Sequence, residues 1–182
     1  MKTKTKAKKV NVRGGSNDPN RGKWCTPKPV AIAVGPFDLD PFSNPHSHIV
    51  STHRCMLEDG GDGFGSGEPG SYRTGKVFGH ADASNTVWIQ PPYEIVMRAL
   101  KHYEHTRFTA LLRFDPRTTW FRRLYRASAL VAVFRGIEFE PPPGIETGGG
   151  NSFPHALFYR DARDVTEAVL RLTYAWRTGN GT

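Results

Sequence analysis

The sequence predicts one α/β domain with a mostly parallel β-sheet and an antiparallel hairpin at one edge. Short apolar strands alternate with amphipathic helices along the chain, which is the pattern of α/β proteins. Two of the strands stop at polar, proline-stiffened loops, the position where ligands bind in open α/β sheets. The last strands have short connections, as antiparallel neighbours do. The 182 residues suffice for one domain with a hydrophobic core.

The first half of the predicted domain, which begins at Trp24, contains one strand, one helix and one long loop. The strand covers residues 37–40. The helix covers residues 44–57 and begins after Asn44, because Pro45 is favoured at the first helical position. Residues 58–81 contain eight glycines and therefore predict a long loop, which in a compact domain is usually functional or disordered.

The second half continues the alternation of strands and helices to the end of the domain at residue 182. Apolar residues at helical spacing, such as Ile95, Ala99 and Leu100, predict a helix over residues 95–102. The other predicted elements are strands at 86–89, 108–112, 130–134, 137–139 and 156–159, a basic helix at 118–126, a Pro/Gly loop at 141–153 and a helix at 164–176.

The positive charge of the chain is concentrated in an N-terminal arm, residues 1–23. The chain carries a formal charge of +8, and the arm holds eight basic residues against one acid. Because the arm has few apolar residues, we expect it to be disordered in isolation. A functional arm would neutralise nucleic-acid phosphates, whereas a solubilising tail would bind nothing specific. The candidate phosphate contacts are Lys2, Lys4, Lys6, Lys8, Lys9 and Arg13.

The composition argues against a membrane, secreted or metal-dependent protein. The apolar runs are too short to span a bilayer, and the lysine-rich start is not a secretory signal. Cys25 and Cys55 stand thirty residues apart, which fits a reducing cytoplasm better than a disulfide scaffold. His46, His48 and His53 lack a third ligand at convincing spacing, so we expect no metal.

The segment Gln90-Pro91-Pro92-Tyr93 follows an apolar strand and carries the strongest chemical signal. Methylation of an aromatic amine requires two acceptors that bind both N–H bonds and free the nitrogen lone pair. The amide oxygen of Gln90 and a backbone carbonyl in the proline-stiffened turn supply such acceptors. Tyr93 can stack on a base that has been flipped out of the double helix. The alternative is a strand-end turn with a buried tyrosine.

A second polar segment begins with Asp40, the last residue of the strand predicted at 37–40, and continues into a loop with Pro41, Ser43 and Asn44. Asp40 and the following backbone amides are suited to a charged, methionine-like group. The alternative is an Asx turn that caps a helix. Further along, Glu58 and Asp59 are candidate ligands for ribose hydroxyls or ordinary solvated acids. Arginines that include Arg117, Arg122 and Arg123 surround Trp120 and favour either phosphate contacts or a solvated helix face.

The ordered set of motifs between residues 24 and 160 resembles the phage-type (Dam-like) DNA N6-adenine methyltransferases. Members run from Trp-x-Thr-Pro to Leu-Asp-Pro-Cys-Ser-Asn-Pro, then an acid-Asp-Gly stretch, and then Asn-Pro-Pro-Tyr. The corresponding segments here are Trp24-Cys25-Thr26-Pro27, Leu39-Asp40-Pro41-Phe42-Ser43-Asn44-Pro45, Glu58-Asp59-Gly60 and Gln90-Pro91-Pro92-Tyr93. The likeness continues through Pro116-Arg117-Thr118-Thr119-Trp120-Phe121, Phe134-Arg135-Gly136 and Phe153-Pro154-His155-Ala156-Leu157.

The resemblance implies a Rossmann-like fold, S-adenosylmethionine as the methyl donor and double-stranded DNA as the partner. It implies donor contacts at Thr26, Pro27, Asp40, Pro41 and Ser43, and it places the target amine at Gln90, Pro91 and Tyr93. It leaves the glycine-rich loop and the loop at 141–153 for sequence readout. If the chain is phage-encoded, it would act in the host cytoplasm.

Two residues depart from the family pattern. Phe42 stands where cysteine is frequent, and Gln90 stands where asparagine is usual. The extra methylene of Gln90 moves its acceptor by about 1.5 Å, a single-bond length. A misplacement near 1 Å lowers a rate by roughly 10²-fold unless the backbone compensates. The open alternatives are a non-catalytic nucleic-acid binder, and methylation of cytosine N4 or of RNA.

Overall fold

The computed structural model describes residues 23–56, 63–64, 86–144 and 153–160. Within these ranges the strands are β1 (Phe37–Ser43), β2 (Ser51–Met56), β3 (Thr86–Ile89), β4 (Arg107–Arg113), β5 (Ala129–Phe134) and β6 (His155–Tyr159). The helices are α1 (Lys28–Val34), α2 (Val96–His102) and α3 (Thr119–Ala127), and a 3₁₀ turn, Tyr93–Ile95, precedes α2. The N-terminal arm and the helix predicted at 164–176 lie outside the described residues.

The six described strands form one sheet in the order β2-β1-β3-β4-β6-β5. β1 pairs in parallel with β2 and β3, and β3 pairs in parallel with β4. β6 is antiparallel to both of its neighbours, β4 and β5. The predicted α/β class and the mostly parallel sheet with an antiparallel edge pair are therefore confirmed. The edge pair is not a tight hairpin, however, because residues 135–154 separate its strands.

The prediction of a helix over residues 44–57 is wrong, because the described residues of this segment form a turn and a strand. The side-chain Oδ1 of Asn44 accepts a hydrogen bond from the His46 N–H at 2.9 Å, which closes an Asx turn instead of capping a helix. The chain then returns in an irregular segment over residues 47–50, and the Val50 carbonyl accepts the Phe37 N–H at 2.9 Å. Residues 51–56 become β2 because pairing with β1 satisfies their backbone and buries Cys55.

Among the described residues, the other predicted strands and helices lie within a few residues of the observed ones, with one exception, and one observed helix was not predicted. Most of the loop predicted at 58–81 and residues 145–152 of the loop predicted at 141–153 lie outside the described residues. The strand predicted at 137–139 is absent from the described segment 135–139, and the next residue, Glu140, forms an isolated bridge with Cys25. The helix α1 was not predicted, because its sequence is rich in β-branched residues. Pro29 fits its first turn, and Gly35, with a φ of 85°, terminates it.

The core consists of two clusters of buried side chains, one on each face of the sheet. The first cluster packs α2 and α3 on the sheet through residues such as Leu100 and Leu124. The second cluster packs α1 on the opposite face through residues such as Val30. Successive residues of β4 alternate between them, with Leu112 in the first and Leu111 in the second. The described residues thus form three layers, with helices on both faces of the sheet.

None of the described helices is long and apolar enough to cross a bilayer. The longest, α3, has nine residues, whereas a spanning helix needs about twenty.

Candidate active site at the carboxyl ends of β1 and β3

The two polar segments singled out from the sequence lie side by side at one edge of the sheet. The first is not a loop as predicted, because Asp40, Pro41 and Ser43 belong to β1 and only Asn44 follows it. β1 and β3 are adjacent and parallel, with Leu39 opposite Val87, so their carboxyl ends point the same way. The chain leaves β1 toward β2 on one side and returns to β3 on the other side. The strand order therefore reverses between β1 and β3, and this topology predicts a ligand crevice at that point. Open α/β sheets bind their ligands at such points.

A third segment, residues 24–27, contacts both strand ends. The hydroxyl of Thr26 donates a hydrogen bond to Oε1 of Gln90. The thiol of Cys25 donates to Oδ1 of Asn44 at 3.5 Å. These contacts bring together three motifs that are far apart in the sequence.

The segment that carries Thr26 is itself anchored to the chain around Glu140. Cys25 and Glu140 exchange two backbone hydrogen bonds, of 2.9 and 3.0 Å. The Glu140 carboxylate also accepts the Lys28 N–H at 3.0 Å and lies 2.5 Å from Nε2 of His48. Burial raises the pKa of Glu140, but the hydrogen bonds from Lys28 and His48 outweigh it and hold the pKa below its ordinary value. Sequence reasoning missed Glu140, because its partners lie about a hundred residues away.

Asp40 is a buried carboxyl group near the end of β1. It is only 2% exposed, and burial raises its pKa to about 6. The nearby Ser43 hydroxyl, the charge of Arg54 and the Phe42 N–H act in the opposite direction without restoring an ordinary value. Ser47 Oγ donates to it at 3.4 Å. A buried carboxylate in this state is suited to a cationic ligand, which would stabilise its ionised form.

Ser43, at the carboxyl end of β1, also favours a ligand in this crevice. It is 1% exposed, and its hydroxyl, although close enough to the Asp40 carboxylate to lower the pKa of that group, makes no hydrogen bond of good geometry among the described residues. An unsatisfied buried hydroxyl costs about 1–3 kcal/mol, so such groups usually have a partner. A polar ligand between β1 and β3 would supply one. Pro41 is buried beside it, whereas Pro27 is half-buried where α1 begins.

The Pro-Pro-Tyr turn presents an exposed aromatic ring next to the crevice. Pro91 is buried and Pro92 is half-buried, and the Pro92 carbonyl accepts the Ile95 N–H at 3.1 Å. Tyr93 is 47% exposed, and its ring meets the edge of Trp120 at a centroid distance of 5.9 Å and an angle of 88°. The prolines thus fix the turn, and Trp120 supports one side of a ring that remains partly exposed to solvent.

The arginines expected to contact nucleic acid lie on α3 and just before it. Arg117 is exposed and paired with Asp115 at 3.1 Å, whereas Arg122 and Arg123 are exposed on the helix. Arg123 also forms an ion pair with Glu104. Trp120 is buried, so its indole faces the protein more than the solvent.

A groove of about 770 Å³ lies between α2 and α3. Its floor is apolar and its rim is basic, with Lys101, Arg122, Arg123, Arg126 and Arg160 among the lining residues. It was not predicted from the sequence, because only the packing of the two helices brings their basic residues together. It borders the α2 and α3 face of the sheet and contains none of the residues at the ends of β1 and β3.

Some candidate residues cannot be placed. Glu58 and Asp59 lie outside the described residues, as do Lys2, Lys4, Lys6, Lys8, Lys9 and Arg13. Across the segments that the structure describes, no group of three His, Cys, Asp or Glu side chains is arranged to hold a metal ion.

The fold and the site together define an α/β protein with a six-stranded sheet and a candidate ligand crevice where the strand order reverses. No protein-family model matches the chain, and no curated protein is significantly similar to it.

Proposed function

We propose that the chain is a DNA methyltransferase that transfers a methyl group from S-adenosylmethionine to the N6 amine of adenine. The observation that supports this most strongly is the position of Gln90-Pro91-Pro92-Tyr93 beside the buried Asp40, with Thr26 bonded to Gln90. An amine-binding turn and a cation-suited carboxyl group then share one crevice. The proposal includes a Rossmann-like methyltransferase fold for the domain, and the strand order is compatible with that fold.

The donor would lie at the end of β1. S-adenosylmethionine carries an ammonium group, a carboxylate and a sulfonium-bound methyl group that is open to nucleophilic attack. Asp40 would stabilise the nearby positive charge, and the Ser43 hydroxyl, which makes no hydrogen bond of good geometry among the described residues, would gain one. Thr26, Pro27, Pro41 and Asn44 would shape the rest of the donor site.

The target amine would lie at the end of β3. The amide oxygen of Gln90 and the carbonyl of Pro91 would accept its two N–H bonds, which moves the nitrogen toward tetrahedral geometry and frees its lone pair. The nitrogen would then attack the methyl carbon in line, so that the N–C bond forms as the C–S bond breaks, the donor leaves as a neutral thioether, and one N–H proton passes to solvent. Because the two acceptors are held before the base arrives, little reorganisation is needed in the transition state.

The exposed ring of Tyr93 should make a large contribution to target binding. Replacing Tyr93 by alanine should lower the single-turnover rate at subsaturating DNA by roughly 5- to 150-fold, since stacking of a base on an aromatic ring is worth about 1–3 kcal/mol. Tyr93→Phe should stay within about threefold of the parent, because it keeps the ring. Tyr125→Ala is the matched control, as Tyr125 is exposed on α3 and stacks on Phe121. Equal losses in Tyr93→Ala and Tyr125→Ala would contradict the stacking role.

The basic arm should strengthen binding to double-stranded DNA through phosphate contacts. Deleting residues 1–23 should weaken binding and reduce the slope of log K against log salt by up to about 5, if all six candidate residues neutralise a phosphate. The slope is measured by fluorescence anisotropy on a DNA duplex at salt concentrations between about 50 and 200 mM. A scrambled arm of the same composition should retain the slope. An unchanged slope after deletion would show that the arm contacts no phosphate.

The experiment that tests the proposed function is methyl transfer itself. The protein is incubated with labelled S-adenosylmethionine and unmethylated duplex DNA, and the digested nucleosides are analysed by mass spectrometry. We expect N6-methyl-2′-deoxyadenosine as the labelled nucleoside. Labelled N4-methylcytosine, or transfer to RNA alone, would replace the proposed substrate. No transfer to any nucleic acid, with DNA binding intact, would favour a non-catalytic binder that lost turnover through Gln90.

A further inference from the structure

Gln90 is the residue that departs from the usual asparagine, and its side chain has a defined partner. The Thr26 hydroxyl donates a hydrogen bond to Oε1 of Gln90 across 64 positions of sequence. Thr26 is 2% exposed, so water competes little for this hydroxyl. An amide oxygen has two lone pairs and can accept a second hydrogen bond. The contact therefore leaves Gln90 able to accept an N–H from a target amine.

Thr26 is held in place on both sides. Its neighbour Cys25 is fixed by the two backbone hydrogen bonds to Glu140 and by the thiol contact to Asn44. The next residue, Pro27, has a restricted φ, and its carbonyl accepts the Ala31 N–H at 3.0 Å as α1 begins. The anchored backbone and the burial of Thr26 restrict the positions of its hydroxyl, so the hydroxyl can in turn restrict the group to which it donates.

We propose that Thr26 is a positioning residue that fixes the amide of Gln90 for the target amine, an inference that rests on the proposed function. Glutamine has one more rotatable bond than asparagine, and a free side chain would sample several positions of its oxygen. The hydrogen bond from Thr26 selects one of them. An asparagine at this position would end about 1.5 Å short of Thr26. Thr26 and Gln90 therefore act as a pair, in which the longer side chain is matched to the threonine hydroxyl.

The kinetic test compares Thr26→Val, which removes the hydroxyl and retains the shape, with Thr26→Ser, which retains the hydroxyl. Thr26→Val should lower kcat about 10- to 100-fold at saturating donor and DNA, since misplacement near 1 Å costs roughly 10²-fold. Its dissociation constant for the donor should change less than threefold, and Thr26→Ser should retain most of the rate. A raised donor constant with unchanged kcat would mean that Thr26 serves the donor alone. A faster Thr26→Val would mean that Thr26 holds Gln90 away from the target; either result overturns the proposal.

A double-mutant cycle tests whether the two residues act as a pair. Gln90→Asn should already lose the contact with Thr26, so adding Thr26→Val should lower its rate by less than twofold. If the two single effects multiply in the double variant, the proposed pairing is wrong. Thermal unfolding of each variant shows whether a lost rate reflects a lost fold, and Thr26→Ser provides a folded variant for comparison.

A spectroscopic readout separates this proposal from the proposed function. The side-chain amide resonances of Gln90, identified by their loss in Gln90→Asn, should shift in Thr26→Val and show a lower order parameter in ¹⁵N relaxation. If the parent protein transfers no methyl group but the Gln90 amide still loosens, the proposed function fails and the positioning contact stands. Identical Gln90 amide signals in the parent and Thr26→Val would overturn the positioning role, whatever the activity.

Discussion

Replacing Asp40 by asparagine should stabilise the donor-free protein by up to about 3 kcal/mol at pH 7.5. The folded-state pKa of Asp40 is about 6, above the ordinary value of 3.8, and burial is the main cause. The contribution of Asp40 to stability is therefore fully present below pH 3.8 and is lost as the pH rises through 6. Asparagine cannot ionise, so the variant avoids this loss. Urea unfolding at pH 7.5 and pH 5 should show the larger gain at pH 7.5.

The same substitution should weaken binding of the donor. Hydrogen bonds to a charged group contribute about 1.5–3 kcal/mol, so the dissociation constant should rise about 10- to 150-fold in titration calorimetry at pH 7.5. In the parent protein, affinity should also fall below pH 6, because protonated Asp40 cannot stabilise a cation.

Asp38→Asn is the matched control for Asp40. Asp38 lies two residues earlier on β1 and accepts hydrogen bonds from the Thr86 N–H at 2.7 Å and the Thr86 hydroxyl at 2.9 Å. Its replacement should destabilise the protein by about 1–3 kcal/mol and leave donor affinity within threefold. The account of Asp40 fails if Asp40→Asn is no more stable than the parent at pH 7.5, or if it binds the donor with parental affinity.

Replacing Gly63 by alanine should destabilise the protein by about 2–5 kcal/mol. Gly63 has a φ of 73°, and a left-handed backbone costs other residues about 1–2 kcal/mol. A Cβ at this position would also lie 2.6 Å from the Pro41 carbonyl oxygen and would meet the ring of Phe42, which adds about 1–3 kcal/mol of overpacking. The Tyr103 hydroxyl donates to the Gly63 carbonyl, so the backbone cannot easily withdraw. Urea unfolding measures the difference.

The variant Gly144→Ala separates the backbone cost of Gly63→Ala from its steric cost. Gly144 has a φ of 83°, but no atom of the described residues lies within 4 Å of the position that a Cβ would take there. Its replacement should therefore cost only the backbone component, about 1–2 kcal/mol. The difference between the two variants is the steric cost of crowding Pro41 and Phe42 at the candidate donor site. Equal losses in both variants would show that Gly63 is not packed against β1 as described.

Local pattern was sufficient to predict the elements that carry the crevice. The apolar strand before Gln90 and the helix around Ala99 have clear periodicity, and both are observed. At residues 44–57 local pattern misled, because Asn44 followed by Pro45 suits a helix start and an Asx turn equally well. The pairing of residues 51–56 with β1 decides between the helix and the Asx turn, and the local sequence does not predict that pairing.

The candidate site could be predicted only in part for the same reason. The positions after β1 and β3 were marked by their polar and proline residues, and parallel pairing brings them together. The contact of Thr26 with Gln90 joins residues 64 positions apart, and no local signal reveals it. The burial that raises the pKa of Asp40 likewise depends on what packs around it.

The central claim is that one crevice holds the methyl donor at β1 and the target amine at β3. A crystal structure with S-adenosylhomocysteine, the product of methyl transfer, tests it most directly. We expect the ligand between the two strand ends, with its amino group near Asp40, a hydrogen bond to the Ser43 hydroxyl, and Oε1 of Gln90 facing the open side of the crevice. A ligand seated elsewhere, such as in the groove between α2 and α3, or no binding at millimolar concentration, would contradict the claim.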